Sequence, residues 1–210
     1  VTDKDEADRR SDMTVAPERP CRPVPEETPV SLIDIAEYAA QSLPRHRVEI
    51  LEGQLLVTPA ADGPHGLALT DLTLAFAALH RKDAYVIQGI GLWLPSGDDH
   101  AVPDLAVVDK EFRDHEIKYK CYDPAVFRLV LEITSTNWRD DVERKPDAYA
   151  GAGVPVYVIC DREHGEVIVC TDPRGGEYRT RSVYRKGETF VLPESIGAKV
   201  ELEVDGLLLK

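Results

Sequence analysis

Two acids and a lysine carry the chemistry that this sequence can support. Asp104 follows Pro103 and opens the apolar segment Asp104-Leu-Ala-Val-Val-Asp109, and Glu132 interrupts Phe127-Arg-Leu-Val-Leu-Glu-Ile-Thr134. Both carboxylates stand where strand sequences ordinarily carry something apolar. At a period of two, Asp104 shares a face with Ala106 and Val108, and Glu132 shares one with Arg128, Val130 and Thr134. Phe127, Leu129, Leu131 and Ile133 fill the opposite face. If the two acid-bearing faces adjoin, the carboxylates lie within a few Å and repel unless a proton, a base or a metal intervenes. A hard cation resolves that conflict, because Mg²⁺ is typically held by one or two carboxylates together with water and substrate phosphate. Lys145 would place a fixed positive charge where negative charge builds on an attacked phosphate.

The lysine needs a helix to aim it. Val142 lies three residues before Lys145 and Tyr149 four after it, so on a continuous helix the three share one stripe and the apolar pair turns the amine toward a sheet. Pro146 interrupts that reading, since proline removes a backbone donor and biases Lys145 away from helical dihedrals. Either the helix is kinked there, or it begins at Pro146 with Lys145 at its mouth.

Around these residues the pattern predicts an α/β domain. Ser31 caps a helix over residues 32–42, which Leu43-Pro44 stops. Two short strands, 48–51 and 54–58, flank the turn-forming pair Glu52-Gly53. An apolar helix over 64–80 follows, then a strand over 85–94 softened by Gly89 and Gly91, and its neighbour over 104–109. Next come the strand over 127–134, a helix near 140–152 and a buried strand over 154–160; the last two strands can lie parallel through a crossover. Short strands over 165–171, 177–184, 189–191 and 199–204 are expected to extend the sheet as an antiparallel continuation. Helices then flank a mixed sheet, and residues 31–210 form a single domain. Residues 1–30 are rich in proline and charge and poor in bulky apolar side chains, so a disordered N-terminal tail is expected there.

Composition narrows the function. The 210 residues are 43% hydrophobic and 30% charged, as in an ordinary soluble globule. There is no apolar run long enough for a membrane span and no secretory layout at the N-terminus, so a cytoplasmic protein without membrane partners is expected. Lys and Arg number 25 against 38 Asp and Glu, and the net charge of −13 argues against a protein that grips nucleic acid nonspecifically through a broad basic surface. Arg179, Arg181, Arg185 and Lys186, with Tyr178 and Tyr184 interleaved, form one cationic cluster, whose plain reading is a charged edge hairpin. Cys21, Cys121, Cys160 and Cys170 show no metal-ligand spacing and read as reduced, mostly buried thiols.

Each candidate also has an ordinary reading. Pro103-Asp104 is a common strand entry, and Arg128 on the face of Glu132 offers it an ion pair. Glu49 and Glu52 read as hairpin-surface carboxylates, although Glu49 lies in an apolar-rich strand and can supply a further oxygen ligand to a metal. His65 reads as an exposed polar residue at a helix start. Asp140 reads as a helix N-cap with Glu143 closing a capping box. Tyr149 and Tyr157 read as core, and Gly151-Ala-Gly153 as a helix terminus and turn.

The order Glu49-Ile-Leu-Glu-Gly53, Thr58-Pro59, His65, Pro103-Asp104, Leu131-Glu-Ile-Thr-Ser135, Asp140, Lys145, Tyr149, Gly153-Val-Pro-Val-Tyr157 and Cys160-Asp161 resembles the bacterial Uma-type (Uma-two) family of restriction endonucleases. That family is a branch of the PD-(D/E)XK nuclease superfamily, and the resemblance spans roughly residues 31–190. It implies a restriction-endonuclease-like fold and a metal-dependent phosphodiesterase site. The motif aspartate falls on Asp104 and the motif glutamate on Glu132. Thr134 stands where the motif lysine would be, and the resemblance places that lysine on the following helix, at Lys145. A histidine at the position of His65 is implied to touch the scissile phosphate or the attacking water, imidazole being able to exchange a proton near neutral pH. The expectation is therefore a DNA endonuclease that uses carboxylate-held Mg²⁺ or Mn²⁺ to activate water, with Asp104, Glu132 and Glu49 as metal ligands, Lys145 and His65 beside them, and a homodimer suited to cutting both strands. The alternatives are a catalytically silent nuclease-fold module for protein binding or regulation, and a phosphodiesterase for RNA or small nucleotides.

Overall fold

Alternation of side chains along short strands sorts this chain into layers. The computed structural model describes residues 30–135 and 138–208. The expected disordered tail therefore lies, apart from Val30, outside the described residues, as does Cys21. The first helix, α1 (Leu32–Ser42), begins with a reciprocal cap: Ser31 accepts from the Asp34 N–H while the Asp34 carboxylate accepts from Ser31. The strands β1 (Arg47–Leu51) and β2 (Gln54–Thr58) form the expected hairpin, and Glu52 and Gly53 both take positive φ in its turn. Helix α2 (Gly63–Ala75) is capped by Asp62 and carries Pro64 in its first turn; it ends earlier than the apolar run suggests.

The single strand expected over 85–94 is two. At Gly89, with φ 61°, the chain leaves β3 (Ala84–Gln88), and β4 (Gly91–Trp93) joins a different sheet. A Cβ on Gly91 would stand 2.7 Å from Cys121 Sγ and 2.9 Å from the Lys120 carbonyl oxygen, so the neighbouring strand can approach only glycine here. The chain continues through β5 (His100–Ala101), β6 (Leu105–Asp109), β7 (Glu116–Lys118), β8 (Cys121–Tyr122) and β9 (Phe127–Ile133). A π-helical turn over Asp140–Arg144 leads into α3 (Lys145–Gly151), and β10 (Val156–Asp161), β11 (Glu166–Arg174), β12 (Glu177–Arg185), β13 (Thr189–Val191), β14 (Glu201–Glu203) and α4 (Val204–Leu207) complete the order.

The central sheet runs β12-β11-β10-β9-β6-β3. It is mixed: β9 and β10 are parallel across the α3 crossover, and its other pairings are antiparallel. A second sheet runs β2-β1-β5-β4-β8-β7. β11 and β12 extend the central sheet as expected, but among the described residues β13 and β14 pair only with each other, as a separate ribbon. One face of the central sheet presents Leu105, Val107, Leu129, Leu131 and Ile133 to α2 and to the β13–β14 ribbon. The other presents Ala106, Val108, Val130, Tyr157 and Ile159 to α3 and to the second sheet. In β1, Val48 and Ile50 face α1 while Leu51 faces the central sheet, which sends Arg47 and Glu49 inward with Leu51. Among the described residues no helix is long and apolar enough to cross a membrane.

Candidate active site

Strand register brings the two acids together. β6 and β9 are antiparallel neighbours with Leu105 opposite Leu131, so Asp104, one residue ahead of β6, comes opposite Glu132. The Asp104 N–H donates to Glu132 Oε2 at 3.3 Å, and the Ile133 N–H donates to Asp104 Oδ2 at 2.8 Å. Both acids are buried, at 3% and 1% exposure. They form part of a cleft of about 650 Å³ walled by β1, the loop into α2, and the π-helical turn.

The π-helical turn aims the lysine. The Lys145 N–H bonds to the Asp140 carbonyl, five residues back. In that register the next donor would be Pro146, which has no N–H, and the Asp141 carbonyl instead accepts from the Tyr157 hydroxyl at 2.7 Å. The widened turn thus accommodates the proline and turns Lys145 inward. Its Nζ lies 2.7 Å from Glu132 Oε1, 3.0 Å from Asp141 Oδ1 and 3.4 Å from Glu49 Oε1. Tyr149, one turn on, donates its hydroxyl to Glu132 Oε1 at 2.9 Å. Thr134, at the motif lysine position, ties strand ends instead, donating to the Cys160 carbonyl and accepting the Arg162 N–H.

His65 belongs to the first turn of α2, whose Asp62 cap accepts the His65 N–H at 2.7 Å. It is not the exposed polar residue of the ordinary reading: it is 5% exposed, with Nε2 3.3 Å from Asp104 Oδ1. Glu49 is likewise buried, its Oε1 accepting the Val102 N–H at 2.8 Å. Glu52 is the surface carboxylate expected, paired with Arg144. Asp140 does not cap its helix: Arg139 before it is already helical, and the Asp140 carboxylate pairs with Arg144 Nη1. Arg128 does not reach Glu132; it pairs with Asp109 Oδ1 at 2.6 Å.

Two residues that sequence reasoning missed sit at the centre. Arg47 spans both acids, with Nη2 in contact with Asp104 Oδ1 and Nη1 3.3 Å from Glu132 Oε2. Strand period puts it on the face of Glu49, but nothing local in the sequence points to the two acids it spans. Asp141 is the third carboxylate on Lys145, and its signal was the four-residue spacing.

Burial works to raise the Asp104 carboxyl, but the hydrogen bond from His65 and the charge of Arg47 outweigh it and hold the group well below the usual carboxylate range. Complete burial pushes the Glu132 carboxyl above its usual range, against the pull of Lys145, with Asp104 and Asp141 adding to the push. Burial would lower the Lys145 ammonium, yet Glu132, Glu49 and Asp141 hold it well above the lysine range, so it stays charged. Four buried carboxylates, Asp104, Glu132, Glu49 and Asp141, thus face two permanent cations, Lys145 and Arg47. The acids outnumber the cations, and the upward push on the Glu132 and Asp141 carboxyls follows from burial together with that imbalance. Among the described residues no three Asp, Glu, His or Cys side chains are grouped as a metal cage. The all-oxygen pair of Asp104 and Glu132 nevertheless fits Mg²⁺ or Mn²⁺, which take much of their coordination from water and phosphate.

This architecture is shared with a solved structure. A solved structure, described as a putative nuclease belonging to DUF820 from Anabaena variabilis ATCC 29413, superposes with a TM-score of 0.62 at 16% identity, covering 77% of this chain and 89% of that one. No curated protein matches the chain. The chain belongs to the Uma2 family, described as "Putative restriction endonuclease", which it matches over residues 35–205.

Proposed function

We propose that this protein is a metal-dependent nuclease that hydrolyses phosphodiester bonds in DNA, with Asp104 and Glu132 holding Mg²⁺ or Mn²⁺. The observation that carries the proposal is the convergence of Asp104, Glu132 and the Lys145 ammonium at the floor of one open cleft. Family and fold support a nuclease; the donor set supports the metal.

A divalent ion bound there would supply an acidified water and neutralise charge on the phosphate. The chain's own residues supply the rest. Lys145 and Tyr149 fix Glu132 Oε1, and the Ile133 N–H fixes Asp104 Oδ2, which leaves Asp104 Oδ1 and Glu132 Oε2 as the oxygens that Arg47 contacts. Asp141 and Glu49 hold Lys145 in place, and Glu49 acts through that lysine before it acts as a ligand. His65 sits against Asp104 on the α2 wall, where Nε2 can exchange a proton with water or a leaving oxygen.

Purified protein with Mg²⁺ and supercoiled plasmid is expected to nick the DNA, and Asp104→Ala to lose that activity by roughly a thousandfold or more. Equal nicking by the variant would refute the assignment. Competition by short RNA or nucleotides in the same assay distinguishes a DNA enzyme from one acting on those substrates. The silent-module reading draws on Arg47, which already bridges the acids; it predicts no Mn²⁺ binding at them.

A further inference from the structure

Among the described residues Arg47 is the one that touches both acids and lines the cleft, and its chemistry is that of a cation on a tether. It opens β1 opposite Thr58, and its side chain points the same way as Glu49 and Leu51. The oxygens of the acid pair are divided between two environments. Glu132 Oε1 is taken from within by Lys145 and Tyr149, and Asp104 Oδ2 by the Ile133 N–H. The remaining pair, Asp104 Oδ1 and Glu132 Oε2, are the oxygens on which the Arg47 guanidinium forks, with His65 Nε2 3.3 Å from the first and the Asp104 N–H 3.3 Å from the second. A divalent ion shared by the two acids needs those same oxygens at metal-ligand distance, so the guanidinium and the ion cannot both hold them.

The two bases of the site differ in how firmly they are held. The Lys145 side chain is 3% exposed and fastened by three carboxylates. The Arg47 side chain is 26% exposed, lines the open cleft, and has a long stem that can carry its head elsewhere in the cleft without moving β1. Resting on the metal-binding reading above, we infer that Arg47 is a built-in placeholder for the metal: it keeps the two acids paired in the metal-free protein and yields their cleft-side oxygens when a divalent ion enters. Metal affinity is then lowered by the work of displacing a guanidinium, and the acids stay preformed, since at least one positive charge lies between them at all times.

Mn²⁺ binding tests this, by calorimetry and by the electron paramagnetic resonance of free Mn²⁺, on the full chain as wild type, Arg47→Met, Arg47→Lys and Asp104→Asn. Arg47→Met is expected to bind Mn²⁺ tighter than wild type by roughly tenfold or more, and Arg47→Lys to fall between, because an ammonium cannot fork onto both acids. Arg47→Met is also expected to melt at lower temperature without metal and to recover with Mn²⁺. Should the methionine variant fail to fold, the lysine variant carries the comparison. Mn²⁺ binding in the Arg47 variants equal to or weaker than in wild type, with Asp104→Asn abolishing it, overturns the placeholder and leaves the metal site standing. Absence of Mn²⁺ binding from every protein overturns the metal site, and the placeholder with it.

Discussion

Lys145 is the side chain on which the polar interior depends. Its ammonium is the common counter-charge of Glu132, Asp141 and Glu49, all buried. Lys145→Met would leave those acids with one cation fewer, and breaking a buried charge set in this way costs roughly 3–5 kcal/mol. Urea unfolding of the metal-free variant is expected to show a loss of that size; an unchanged midpoint would contradict the assignment. Strand period gave each acid its own face, and the β6–β9 register is what makes those faces adjoin; the stripe of Val142, Lys145 and Tyr149 suggested an inward lysine but left open how the chain passes Pro146. The ion pair of Glu132 with Arg128 failed for a metrical reason: four residues along a strand separate side chains by roughly 13 Å. Arg47 was not legible because its partners lie 57 and 85 residues away, across two different sheets. No local spacing encodes such a contact.

At the scale of elements, the site depends on how α2 and the π-helical turn begin. Asp62 caps α2 and pairs with Arg162, and so sets the entry of the helix that carries His65. Asp62→Ala is expected to cost about 1 kcal/mol. The backbone N–H of His65, with the Arg162 pair, holds the Asp62 carboxyl below the ordinary aspartate range. A carboxyl depressed on folding stabilises above its unfolded pKa, and that stabilisation is lost as pH falls through the folded value. The penalty of Asp62→Ala should therefore be full near neutrality and shrink in acid, as denaturant midpoints of the two proteins will show; a penalty independent of pH would place the stabilisation elsewhere. The Ser31 cap, the β1–β2 hairpin and the β9–α3–β10 crossover were readable because cap spacing, turns and apolar period are local; the Asp140 cap failed because the helix has already begun at Arg139. The division of β3 from β4 was not, because Gly89 and Gly91 fit a weakened strand as well as a change of sheet, and only the close approach of Cys121 decides between them. Pro146 signalled an irregular helix, but its resolution by a π-helical turn needed Tyr157, eleven residues further on, to satisfy the Asp141 carbonyl.

For the molecule as a whole, charge and architecture pull in opposite directions. A net charge of −13 is unusual for a protein that handles a polyanion. Arg179, Arg181 and Arg185 lie on β12, at the edge of the central sheet, and none of them lines the cleft. Their arrangement matches the charged edge strand read from the sequence. Among the buried groups of the cleft the acids outnumber the cations, which opposes the approach of a phosphate. The proposed divalent ion between Asp104 and Glu132 would reconcile the two facts: the chain would supply the ligands, and the ion the attraction. The most direct test is the anomalous scattering of crystals soaked in Mn²⁺. The account predicts one strong peak within about 2.0–2.3 Å of a carboxylate oxygen from Asp104 and another from Glu132. A soaked crystal with no peak between those carboxylates would contradict it.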